Sequence, residues 1–175
     1  TILEDTGSFE RAATPLALVI APTRELALQV KREFDWLYAP AGVVCASTVG
    51  GMDSRTERRA LERGAHIVVA TPGRLRDHIM RGAIDLSALR AVVLDEADEM
   101  LNMGFVEDIE SILSSAPKER RTIMFSATMP RNVEKLAKKF MGDHELLAVA
   151  SSNVSKKNIN QIYFEVGQSD KFEAL

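Results

Sequence analysis

Asp95, Glu96 and Asp98 are three carboxylates within four residues, delivered by the apolar run Val92-Val93-Leu94. An uninterrupted apolar run is how a parallel strand covered on both faces reads. In open α/β sheets, ligands gather beyond the carboxyl ends of such strands. One carboxylate there can hold a magnesium ion carried on a nucleoside triphosphate, and a second can order the attacking water. Asp95 has the position for the first task and Glu96 for the second. An acidic solvated loop after a strand has the same pattern, so this segment alone leaves both readings open.

Other residues have types that suit the same chemistry. Ser126-Ala127-Thr128 ends a later apolar run, and its hydroxyls would reach Asp95 and Asp98 if the two strands were neighbours. Pro22-Thr23-Arg24-Glu25-Leu26-Ala27 and Thr71-Pro72-Gly73-Arg74 each open a helix at the end of a strand, and Gly50-Gly51 follows another strand. Helix starts present free N–H groups that suit phosphate, and glycines admit a close backbone approach. Arg24 and Arg74 add charge-assisted donors. Singly, these strings are plain helix starts and a plain turn. Arg55, Arg58, Arg59 and Arg63, like Lys135, Lys138 and Lys139, read as solvated helix faces. Met100, Met103 and Phe105 read as packing residues.

Strands are expected at Leu16 to Ala21, Val43 to Thr48, His66 to Thr71, Arg90 to Leu94, Thr122 to Ser126 and Glu145 to Ala150. Between them, Leu26, Val30, Phe34 and Leu37 recur at helical spacing, as do Phe105, Ile109, Ile112 and Leu113. Ser54-Arg55-Thr56-Glu57 has the form of a capping box. Gly64 and Gly82 suit helix C-termini, and Pro130 suits the first turn of a last helix carrying Val133, Leu136 and Ala137. Strand–helix alternation predicts an α/β fold: a mostly parallel sheet with helices on both faces. Residues 1–15 read as a leading loop. Ser151 to Asn158 reads as a linker, and Ile162, Phe164 and Val166 alternate as in a strand.

At 175 residues, 46% of them hydrophobic, the chain can build one sizeable core. Its apolar runs are too short to span a bilayer, and no basic-then-apolar leader opens it. The single cysteine, Cys45, excludes an internal disulfide and a cysteine-rich zinc site. His66, His78 and His144 lack ligand spacing. A cytoplasmic protein is the expectation. The net charge of −3 conceals a block of seven acids between residues 95 and 110, outside which 22 basic side chains face 18 acidic ones. Polyanion binding depends on local patches, so nucleic acid is permitted.

The set Pro22-Thr-Arg-Glu-Leu-Ala27, Gly50-Gly51, Thr71-Pro-Gly-Arg74, Asp95-Glu-Ala-Asp98 and Ser126-Ala-Thr128, in this order, resembles the DEAD-box family of ATP-dependent RNA helicases. The resemblance implies a RecA-like three-layer sandwich. Residues 1–150 would form a first helicase domain without its phosphate loop, 151–159 an interdomain linker, and 160–175 the start of a second domain. It implies ATP and Mg²⁺ as cofactors and RNA as partner. Asp95 would hold the metal, through water, and Glu96 would polarise the hydrolytic water. Asp98, Ser126 and Thr128 would couple nucleotide state to unwinding. Pro22, Thr23, Arg24, Gly50, Gly51, Thr71, Pro72, Gly73 and Arg74 would track the RNA backbone. None of the eight lysines is followed by Ser or Thr, so no Gly-Lys-Ser/Thr phosphate loop lies within residues 1–175. The chain therefore reads as a helicase fragment inactive by itself. A non-catalytic RNA- or protein-binding module and a DNA-directed helicase are the competing readings.

Overall fold

The structure, a computed structural model, describes residues 11–148, 162–163, 165–167 and 171–172. A compact unit extends to His144, and Glu145–Leu175 forms a separate one.

Five strands form one wholly parallel sheet: β1 (Ala17–Ile20), β2 (Cys45–Thr48), β3 (Ile67–Ala70), β4 (Ala91–Leu94) and β5 (Arg121–Met124), in the order β2-β3-β1-β4-β5. Alternate residues of β1 and β3 join two different cores, following the two-residue side-chain period. Leu18 lies between Val68 of β3 and Val92 of β4, and Ile20 between Ala70 and Leu94. All six belong to one core, closed by Leu75, Met100, Ile109, Ile112 and Val133 from the helices on that face. Each fully buried aliphatic side chain here stabilises the fold by about 1.5–3 kcal/mol at most relative to exposure. The other set, Ala17, Val19, Ile67 and Val69, packs under a single helix.

That helix is α1 (Arg24–Leu37). Thr23 caps it by accepting from the Leu26 amide at 3.3 Å, and Leu26, Val30 and Phe34 form its inward stripe. The opposite face carries α2 (Ser54–Glu62), α3 (Pro72–Met80), α4 (Ala97–Asn102), α5 (Val106–Ser115) and α6 (Arg131–Met141). On the α1 side the end of β5 stays open, with Ile123 and Phe125 both exposed. Gly64 follows α2 at φ +93°, and a Cβ there would meet the Ala12 carbonyl oxygen at 2.3 Å, so only glycine fits.

Several expectations need correction. The cap of α2 is Asp53, not Ser54: the Asp53 carboxylate accepts from the amides of Arg55 (3.3 Å) and Thr56 (3.1 Å). Glu57 turns inward and takes no part in a capping box. The apolar pattern at Glu145 to Ala150 does not become a strand over Glu145–Ala148, and residues 149–150 lie outside the described set. A strand exists only where a neighbour supplies its ladder, and the five-stranded sheet does not include this segment. Ile162, Tyr163 and Val166 likewise carry no strand, while Phe164 and the linker at 151–158 lie outside the described residues. Met100 is fully buried and Phe105 packs on the core, but Met103 is largely exposed after the end of α4. The helix α4 itself, beginning directly after Glu96 and carrying Asp98 in its first turn, was not expected.

Candidate functional site

Because every strand runs the same way, every strand-to-helix connection leaves from one rim of the sheet. The strand order then sets the sequence of groups along it: Gly50-Gly51 after β2, Thr71–Arg74 after β3, Pro22–Arg24 after β1, Asp95–Asp98 after β4, and Ser126–Thr128 after β5. Neighbouring strands lie about 4.8 Å apart. The amide- and arginine-bearing connections thus occupy one half of the rim, and the acids and hydroxyls the other.

At the acidic end the chain leaves β4 through a sharp turn. The Asp95 amide donates to the Ile20 carbonyl at 2.9 Å, and the Ala97 amide to the Phe125 carbonyl at 2.9 Å. Held between these two bonds, Glu96 adopts φ +50°, ψ +53°, the only positive φ outside glycine among the described residues. Such a conformation costs of order 1 kcal/mol or more and persists only where the surroundings enforce it. The turn leaves Glu96 exposed on the rim and folds Asp95 Oδ1 onto the Glu96 amide at 3.1 Å.

Asp98, in the first turn of α4, is 8% exposed. Its Oδ2 accepts from both Thr128 Oγ1 (2.6 Å) and the Thr128 amide (2.9 Å). The Asp98 amide donates to Ser126 Oγ at 3.2 Å, and Ser126 Oγ–H donates to the Thr128 carbonyl at 2.7 Å. The Thr128 hydroxyl is the main influence holding the Asp98 carboxyl down to about 2, against the burial that would raise it. The Asp98–Ser126–Thr128 association expected from the sequence is therefore a closed hydrogen-bond cluster joining the ends of β4 and β5. Asp95 stands outside it.

Among the described residues no three His, Cys, Asp or Glu side chains are grouped to hold a metal ion. A lone rim carboxylate such as Asp95 still suits Mg²⁺, which keeps much of its water and takes phosphate oxygens for the rest. The metal-holding half of a nucleotide site therefore fits these residues. The phosphate-cradling half is not supplied by residues 1–175.

At the other end, Gly51 adopts φ +78°, and its carbonyl accepts from Arg24 Nη1 at 3.5 Å. The Gly50 amide donates to Thr71 Oγ1 at 3.3 Å, which ties the β2 turn to the β3 connection. Pro22 and Pro72 are buried, and the Thr23 hydroxyl is committed to capping α1. Arg74 is not a free cation: its Nη1 lies 3.2 Å from Glu57 Oε2, with the Glu57 side chain 4% exposed. Gly50, Met52, Asp53, Ser54, Gly73 and Arg74 line an open groove on this half of the rim.

Glu57, read from the sequence only as the carboxylate of a capping box, joins the β2 and β3 connections of this half. A signal was present: Glu57, Ala60 and Leu61 share the inward spacing of α2, so an acid there must be buried and paired. His78, a histidine without ligand spacing in the sequence, is one of its partners.

The DEAD/DEAH box helicase family matches residues 1–136, and this chain belongs to that family. It is 50% identical over 159 residues to the DEAD-box ATP-dependent RNA helicase CshA of Geobacillus kaustophilus, a match covering 91% of this chain and 34% of the relative. Identity to CshA of Bacillus subtilis is 47% over 159 residues, covering 91% and 32%. The crystal structure of a DEAD box protein from the hyperthermophile Methanococcus jannaschii superposes with a TM-score of 0.76 at 45% identity, covering 92% of this chain and 43% of that one. The chain thus spans about a third of the length of the curated relatives it matches. No described helix is long and apolar enough to cross a membrane.

Proposed function

We propose that the chain forms the first RecA-like domain of an ATP-dependent RNA helicase, cytoplasmic, which couples ATP hydrolysis to local opening of RNA duplexes or remodelling of RNA–protein complexes. The observation that carries this reading is the division of one rim into an acidic half and an amide-and-arginine half. Residues 1–150 would be that domain, 151–159 a linker, and 160–175 the opening of a second RecA-like domain.

Magnesium on ATP supplies charge neutralisation at the phosphates. Asp95 would hold that magnesium through water. Glu96, exposed and held by its strained backbone, accepts a hydrogen bond from the attacking water. Asp98 passes any movement of this turn to Ser126 and Thr128 through the cluster already formed. Pro22–Arg24, Gly50-Gly51 and Thr71–Arg74 grip the RNA sugar-phosphate backbone, a mode without sequence preference because phosphates carry no base identity.

The test uses the full-length protein, with RNA-stimulated ATP turnover and strand separation measured on short RNA and DNA duplexes. RNA-dependent turnover and preferential opening of RNA are expected. Binding of RNA without turnover would instead indicate a non-catalytic module, and equal opening of DNA would indicate a broader translocase. Residues 1–175 alone should neither hydrolyse ATP nor separate strands, since they lack the phosphate loop; multiple-turnover hydrolysis by this piece would refute that.

A further inference from the structure

We propose that Glu57 is a positioning residue that sets Arg74 and the Val49-Gly50-Gly51 turn as one grip on the RNA backbone, an inference that rests on the RNA reading of those two connections. Glu57 Oε1 accepts from the Val49 amide at 2.8 Å. Glu57 Oε2 accepts from Arg74 Nη1 at 3.2 Å and lies 2.8 Å from His78 Nε2. The His78 ring is buried, and its Nδ1 has no partner, so the contact to Glu57 is its one hydrogen bond. One carboxylate thus joins the turn after β2 to two side chains of α3. The Gly50–Thr71 bond ties the same two connections again, at the surface.

Stability is a poor explanation for this arrangement. Replacing a buried ion pair by well-packed apolar side chains is often neutral or favourable, and Glu57 shares its helix face with Ala60 and Leu61. What the acid does that an apolar residue cannot is fix a direction. It holds one end of the Arg74 guanidinium, whose fork carries further donors, beside the groove lined by Gly50, Gly73 and Ser54. It also holds the Val49 amide, and so sets the entry to the Gly50-Gly51 turn.

The charge of Glu57 makes the inference separable from simple electrostatics. Removing an acid near an RNA-binding groove should strengthen binding if only charge matters. Removing a positioning acid should weaken it. In the full-length protein, with a single-stranded oligouridylate as probe, Glu57→Gln should raise the KM for RNA in the ATPase assay about tenfold, as expected when one charge-assisted contact is misplaced. The kcat at saturating RNA should fall far less. Glu57→Asp keeps the charge but loses the reach and should behave alike, which covers the case of Glu57→Gln failing to fold. In an Arg74→Ala background, Glu57→Gln should add clearly less than its roughly tenfold effect alone, because Arg74 is already gone and, of the two parts of the grip, only the Val49 amide remains for Glu57 to hold. Unchanged or tighter RNA binding by the single variants, or full additivity with Arg74→Ala, overturns the inference. A wild-type protein that does not bind oligouridylate overturns the RNA reading of the connections, and this inference with it.

Discussion

Asp98 and Thr128, thirty residues apart in sequence, share two hydrogen bonds at a single carboxylate oxygen, one from the hydroxyl at 2.6 Å and one from the amide at 2.9 Å. This pair closes the end of β4 onto the end of β5. It also makes Asp98 the acid with a direct line to the neighbouring connection, while Asp95 and Glu96 take no part in the cluster.

The pair has a pH signature. The folded-state carboxyl of Asp98 lies at about 2, below its ordinary 3.8. A depressed carboxyl contributes stability that is present above the unfolded value and lost as pH falls toward the folded one. The contribution of this cluster is therefore complete at neutral pH and disappears between about pH 4 and pH 2. After allowance for screening at the rim it amounts to about 1 kcal/mol. Urea unfolding of wild type and Asp98→Asn at pH 7 and at pH 3 should show a gap that narrows at the lower pH. A gap of constant size would mean that Asp98 ionises normally.

Thr128→Val removes the 2.6 Å hydroxyl bond and keeps both shape and amide. It should cost about 1 kcal/mol of stability. In the full-length helicase, unwinding should fall by a larger factor than ATP turnover, as expected if the cluster transmits nucleotide state. Equal loss of the two rates would place Thr128 in hydrolysis itself.

Glu96→Gln preserves the size of the side chain on its strained turn and removes its basicity. ATP turnover in the full-length protein should drop by roughly 10²–10⁴. Nucleotide binding, followed with a fluorescent ATP analogue, should persist. Undiminished turnover would remove Glu96 from the mechanism.

Arg74→Ala should weaken RNA binding to a similar degree across unrelated sequences. The slope of log affinity against log salt should flatten by about one phosphate contact. A loss confined to particular sequences would indicate base reading on this half of the rim.

The cap of α2 supplies a structural check. Asp53→Ala should lower the thermal midpoint, because two amides lose their acceptor. Ser54→Ala, inside the helix, should leave the midpoint nearly unchanged. The reverse result would restore Ser54 as the cap.

What the amino-acid sequence determined by itself is the alternation of elements and the identity of the rim. Apolar runs such as Leu18 to Ala21 and Ile67 to Ala70 bury on both faces, so a parallel sheet follows from local pattern alone. The shared direction of its strands then forces Thr23, Gly50, Thr71, Asp95 and Ser126 to one edge. Tertiary structure decided what pattern could not. Strand order separated acids from amide-rich turns, because neighbours in a sheet are chosen by packing across distant residues. The ladder, and not apolarity, decided that Glu145–Ala148 is no strand. Burial turned Glu57 from a supposed surface cap into the shared acceptor of Val49, Arg74 and His78, since an acid facing a core must find its donors wherever the fold brings them.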